Sequence, residues 1–215
     1  SLSRANFTTW FKSTSVLSKD SQSVVVSVPN GFIKEWLENK FNKKSETFEV
    51  YKSSNKNNSL SDDKIWAIAK DTDGYLWIGT ETGGLNRLNL STENITVYKS
   101  EPNIENSISS NYVTSILDSN DGFLWIGTNN GLNRFDKSNE TFSRYTIKQG
   151  LPSNVIQGIV QDESKNIWLS TMKGISKLDV SNYTFKNYDK NDGLQGNEFN
   201  SLSFYKSKRG EVFFG

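Results

Sequence analysis

From residue 60 to the end, short runs of Val, Ile, Leu, Trp and Tyr alternate with Gly, Asn, Asp and Ser, a pattern of brief strands rather than helices. The stretches "IWAIAKD" (65–71), "YLWIGTE" (75–81), "GLNRLNL" (84–90) and "ITVYKS" (95–100) read as four successive strands joined by tight turns. Side chains alternate along a strand, so in "LWIGT" Leu76 and Ile78 point to one face and Trp77 and Gly79 to the other. All four are apolar or small, which predicts a strand covered on both faces. The first forty residues follow another pattern. "NFTTWFKST" (6–14) reads as a short amphipathic helix and "SQSVVVSVP" (21–29) as a strand. "NGFIKEWLENKFN" (30–42) reads as a helix with Phe32, Trp36 and Leu37 on one face and Asn30 as its N-cap.

The strand pattern repeats. Trp77, Trp125, Trp168 and Phe213 recur at spacings of 48, 43 and 45 residues, and Tyr51, Tyr98, Tyr145 and Tyr188 mark the same period on another strand. A unit of four antiparallel strands at this spacing is a β-propeller blade. The fold expected is therefore mainly β: a partial β-propeller of three complete four-stranded blades plus half a blade over residues 45–215, preceded by a small α/β module over residues 1–44. Propellers close with more blades than this. The chain is expected to be a piece of something larger, an open arc with an uncovered apolar face at each end, prone to self-association. Ser170 stands where the first two copies have Gly79 and Gly127.

Charge and chemistry narrow the function. The chain of 215 residues has 25 Lys plus Arg and 24 Asp plus Glu, so no overall field attracts nucleic acid. Residues 1–44 hold the basic excess, which is too small for strong nucleic-acid binding. The absence of Cys and His removes disulfides, thiolate nucleophiles, the commonest general base and the commonest metal ligands. Carboxylate-only catalysis needs a paired Asp/Glu site, and the repeats single none out. No enzyme, cofactor or metal is implied. No run of apolar residues is long enough to cross a membrane as a helix. "DTDG" (71–74) is read as a turn rather than a calcium loop, because "NDG" (120–122) and "SKN" (164–166) fill the same slot and no closing Glu follows. Asp63, Asn111, Asn154 and Asn197 precede the first strand of successive blades. They are either a polar ring at the mouth of the central channel, able to bind a ligand, or turn-forming residues.

The segments "DGYLWIGTETGGLNRL" (73–88), "DGFLWIGTNNGLNRFD" (121–136) and "KNIWLSTMKGISKLD" (165–179), with "NDGLQGNEFN" (191–200) before "GEVFFG", resemble the two-component regulator propeller repeats of hybrid sensor histidine kinases over residues 46–215. The resemblance implies a non-enzymatic, extracytoplasmic propeller that senses a glycan or other small-molecule ligand, or binds a protein, and relays occupancy to a kinase module. The stretch "LSRANFTTWFKSTSVLSKDSQSVVVSVPNGFIKEWLENKF" (2–41) resembles the N-terminal domain of the bacterial replication initiator DnaA. That likeness implies a cytoplasmic adaptor that recruits a helicase or accessory protein. Phe32 would be the partner-contacting aromatic, and Asn6 stands where the family can place an acidic residue.

Overall fold

A computed structural model describes the backbone strands Ser15–Lys19 and Val24–Ser27, and residues 51–54 and 58–215. The chain divides into two compact units, Ser1–Ser53 and Ser54–Gly215. In the first, β1 (Ser15–Lys19) pairs antiparallel with β2 (Val24–Ser27), which lies in the predicted strand. The helices expected over 6–14 and 30–42 lie outside the described residues, as do Phe32 and Asn6.

The second unit is the predicted arc. Blade 1 is β3 (Ile65–Lys70), β4 (Tyr75–Thr80), β5 (Leu85–Asn89) and β6 (Ile95–Tyr98), paired in chain order. Blade 2 is β7 (Val113–Asp118), β8 (Phe123–Thr128), β9 (Gly131–Asp136) and β10 (Thr141–Tyr145). Blade 3 is β11 (Ile156–Gln161), β12 (Ile167–Thr171), β13 (Gly174–Asp179) and β14 (Thr184–Tyr188). The half-blade is β15 (Phe204–Lys206) with β16 (Val212–Phe214). The first strands of successive blades, β3, β7, β11 and β15, lie beside one another, so the sheets fan outward from that shared edge.

Stacking of blade faces makes the core, and it explains why "LWIGT" is apolar on both sides. Between blades 1 and 2, Trp77 and Leu85 of one sheet meet Leu124, Ile126 and Phe135 of the next. Between blades 2 and 3, Trp125 and Leu132 meet Ile167, Leu169 and Leu178. Trp77 and Trp125 are 1% and 3% exposed, as the repeat predicts, whereas Phe213 in the corresponding slot of the half-blade is 53% exposed. On blade 1, Leu60, Leu76, Ile78 and Leu88 form a further buried cluster. Leu60, in the segment leading into β3, completes it.

The departure at Ser170 has a steric reason. Across the β3–β4, β7–β8 and β11–β12 ladders, the facing pairs are Ala67 with Gly79, Ser115 with Gly127, and Gly158 with Ser170. One member is always glycine. A Cβ on Gly79 would strike Val113 of the next blade, one on Gly127 would strike Ile156, and one on Gly158 would strike Phe204. Blade 3 moves the vacancy across the ladder, and the interior stays close-packed.

Candidate functional site

The loops entering β3, β7 and β11 share one edge of the arc with the β4–β5, β8–β9 and β12–β13 turns, the edge that the sequence reading takes as the mouth of the channel. Its geometry is repetitive. Gly84, Gly131 and Gly174 have φ of 90°, 116° and 97°. Each donates its amide to a main-chain oxygen of the next repeat: Asn111 at 3.1 Å, Asn154 at 2.6 Å and Asn197 at 2.5 Å. The Asn side chains fasten the incoming loop as well. Asn111 Oδ1 accepts from the Ser100 amide at 2.7 Å, Asn154 Oδ1 from Ile147 at 2.9 Å and Asn197 Oδ1 from Lys190 at 2.9 Å. Turn and blade-linking chemistry therefore engages the oxygens of these three predicted residues. They sit one per repeat rather than in one cavity. Asp63, two residues ahead of β3, is exposed.

A cleft of about 770 Å³ opens where blades 2 and 3 meet this edge. Its walls include Asn106, Asn130, Ser143, Thr146, Gln149 and Asn154, and of the four predicted mouth residues only Asn154 lines it. One wall is the connection between β6 and β7, which lies along the outer strand β10. The Phe142 amide donates to the Asn106 carbonyl at 3.1 Å. Arg144 Nε donates to the Ser107 carbonyl at 2.8 Å, and its Nη2 donates to the Ile104 carbonyl at 2.9 Å and to Ser107 Oγ at 2.6 Å. The loop covers a strand edge that would otherwise be open for pairing. The opposite wall is a 3-10 turn over Ile147–Gln149, where the Thr146 amide donates to Gln149 Oε1 at 2.8 Å and the Lys148 amide to Thr146 Oγ1 at 3.2 Å. Glu105, Arg144 and Lys148 also line it, with Phe142 and Ile147 supplying apolar surface beside the amides and hydroxyls. Such a surface suits a ligand rich in neutral hydrogen-bonding groups.

Residues that the strand pattern alone does not single out also reach the mouth. The register of β3, β7 and β11 slips by one residue at the same place, between Ile65 and Ala67, Val113 and Ser115, and Ile156 and Gly158. The residues left out of the ladder are Trp66, Thr114 and Gln157, and a bulge re-aims the side chain it carries. The Thr114 hydroxyl donates to the Ile156 carbonyl at 2.7 Å, and the Ser201 hydroxyl donates to Gln157 Oε1. Trp66 instead lies 5.5 Å from the Tyr112 ring at 43°. The "DTDG" segment is a turn, as expected: Asp71 accepts from the Asp73 and Tyr75 amides at 2.9 Å each and from Trp77 Nε1 at 2.7 Å. Among the described residues, no group of three or more His, Cys, Asp or Glu side chains is placed to hold a metal, and no helix is long and apolar enough to cross a membrane.

Residues 59–82, 107–130 and 150–173 match the two component regulator propeller family, and residues 1–47 match the DnaA N-terminal domain. Each propeller match spans a loop into the mouth, the first two strands of a blade and the bulge between them. Among solved structures, an extracellular domain described as that of a hybrid two component system from B. thetaiotaomicron is similar, with 29% identity and a TM-score of 0.68 over 80% of this chain and 23% of that one. An extracellular domain described as that of a one component system from the same organism has 25% identity and a TM-score of 0.63 over 73% of this chain and 22% of that one. The virginiamycin B lyase of Staphylococcus aureus, solved with quinupristin, shares the fold at 20% identity and a TM-score of 0.55, over 70% of this chain and 48% of the lyase. No curated protein matches. The chain spans about a quarter of the length of these two extracellular domains. One segment in each of the three complete blades thus matches the two component regulator propeller family, and the first module matches the DnaA N-terminal domain.

Proposed function

We propose that residues 54–215 act as a non-enzymatic ligand-sensing or protein-interaction propeller of a bacterial two-component signalling system, outside the cytoplasm, with a glycan or other small hydroxylated molecule as ligand and a kinase module as the receiver. The observation that carries this reading is the amide- and hydroxyl-lined cleft at the junction of blades 2 and 3. The likeness to extracellular domains of two component systems supports it. Ser143 is exposed on the cleft wall. Calorimetric titration with a panel of neutral oligosaccharides is expected to find a binder whose affinity falls roughly ten-fold or more in Ser143→Trp, which fills the cleft without touching the core. Equal affinity in the variant, or no binder in the panel, would overturn the reading.

A second reading is favoured by the match of residues 1–47 to the DnaA N-terminal domain. Residues 1–44 would then recruit a replicative helicase or accessory protein in the cytoplasm, through Phe32 and with Asn6 near the contact. Pull-down of a bacterial replicative helicase by the full chain, lost in Phe32→Ala, is the expected result. Absence of capture by the unaltered chain would remove this reading.

A further inference from the structure

We infer that the cleft where blades 2 and 3 meet prefers an acidic oligosaccharide, whose carboxylate is read by Arg144 and Lys148. The inference rests on the oligosaccharide reading proposed above and narrows it to a class of sugar. Two cations, Arg144 and Lys148, line the cleft against one carboxylate, Glu105. Among the described residues none of these three is ion-paired, whereas Lys64, Arg87, Lys137 and Lys206 are. Arg144 meets only neutral acceptors inside the protein. Its Nε and Nη2 donate to the Ser107 and Ile104 carbonyls and to Ser107 Oγ, and among the described residues Nη1 meets no acceptor. The side chain is half-buried, so it has given up part of its hydration without gaining a counter-charge.

The next repeat shows what the fold itself needs at these two positions. Arg144 on β10 stands opposite Asn133, and Asn187 on β14 stands opposite Ser176, the same point of the following blade. Asn187 also fastens the connection ahead of its own blade, by donating its Nδ2 to the Gly150 carbonyl at 2.9 Å. A neutral amide suffices there, so clamping a loop does not call for a charge. Lys148 lies in the capped 3-10 turn Ile147–Gln149, and the matching turn Lys190–Asp192 has Asn191 in its place. The Lys148 side chain is exposed, and it is the amide that serves the turn, by donating to Thr146 Oγ1. Both cations thus exceed what the repeat requires, and both line the same cleft.

The lining matches the chemistry of such a sugar. The amides and hydroxyls of Asn106, Asn130, Ser143 and Gln149 suit sugar hydroxyls, and Glu105, an acceptor only, suits one more. The excess of one positive charge is met by a single carboxylate through charge-assisted hydrogen bonds. Because the cleft is open to water and salt, that carboxylate is worth only a roughly five-fold gain in affinity.

Calorimetric titration of the full chain with matched disaccharides tests the inference: cellobiose with glucuronosyl-glucose, galactobiose with galacturonosyl-galactose, and mannobiose with mannuronosyl-mannose. Within each pair a carboxylate replaces one hydroxymethyl group. The acidic member of a binding pair is expected to bind roughly five-fold more tightly at low salt. That preference should shrink to about two-fold or less in Lys148→Asn, which installs the residue of the matching turn, and in Arg144→Gln, which keeps an amide donor toward the loop. Lys173→Asn is the control: it removes the same charge from an exposed site outside the cleft lining, and it leaves the preference intact. Equal affinity within every binding pair, a preference unchanged in both Lys148→Asn and Arg144→Gln, or an equal loss in Lys173→Asn would overturn this inference and leave the oligosaccharide reading standing. Absence of binding by every sugar in the set, or binding that survives Ser143→Trp, would instead remove the cleft as the site and both readings with it.

Discussion

Gly131→Ala is expected to destabilise the propeller unit by about 3 kcal/mol. Two costs combine. At φ 116° a side-chain-bearing residue is strained whatever surrounds it. In addition, the new Cβ would be driven against the Tyr145 carbonyl oxygen, on a strand already held in register with β9. The residue cannot swing away, because its amide is tied to Asn154 across the blade junction at 2.6 Å and its carbonyl accepts from the Thr128 hydroxyl at 2.9 Å. Gly122→Ala is the control. Its φ is also positive, at 91°, but nothing lies within 4 Å of the added carbon. Urea unfolding should rank Gly131→Ala well below Gly122→Ala. Equal losses would mean that the junction contributes nothing beyond backbone conformation.

The second large effect expected is that of Lys137→Met, at about 3 kcal/mol. Lys137 Nζ lies 3.1 Å from Asp118, 3.0 Å from Asp73 and 3.5 Å from Asp71, joining blade 2 to the β3–β4 turn of blade 1. The Lys137 side chain is 14% exposed and that of Asp71 is 0% exposed, so removing the ammonium leaves buried carboxylate charge without its main counter-charge. Burial pulls the Lys137 pKa down, but the hydrogen bonds to Asp73 and Asp118 outweigh it and the ammonium is held. Burial likewise pushes Asp71 up, and the Trp77 indole, the Tyr75 amide and Lys137 together bring it below 3.8. A carboxylate with a lowered folded pKa contributes stability above its unfolded value and loses it as pH falls through the folded one. The deficit of Lys137→Met should therefore be full near neutral pH and shrink as pH drops below 3.8 and Asp71 protonates. Adding Asp118→Asn should restore part of the loss at pH 7. A deficit independent of pH would assign the effect to packing of the lysine stem instead.

The blades were legible in the sequence because two constraints coincide in "LWIGT". Strand alternation and two-sided burial leave no polar position there, and the echo at Trp125 and Trp168 supplies the period. Ser170 stands as an unexplained departure in the linear pattern because that pattern does not pair it with Gly158. The asparagines ahead of each first strand can be found along the chain, but alternation does not say that an amide oxygen is already engaged by a loop several residues upstream. Trp66 escaped for a related reason: a bulge adds one residue to a strand, and a period-two reading assigns that residue to an ordinary face. The cleft was invisible because it is made by Arg144 reaching back to Ile104 and Ser107, a contact that sequence spacing does not suggest.

The glycine shared between facing strands alters how substitutions in these repeats should be weighed. What each junction tolerates is a combined volume, held by Ala67 with Gly79, Ser115 with Gly127, or Gly158 with Ser170. A score that treats the two positions as independent columns penalises Ser170 and then rewards an isolated return to glycine, although that change would leave two glycines facing each other and a void. The unit of inheritance at this point in the blade is a pair of residues, and repeats can drift from one solution to the other only by way of a looser or a tighter intermediate.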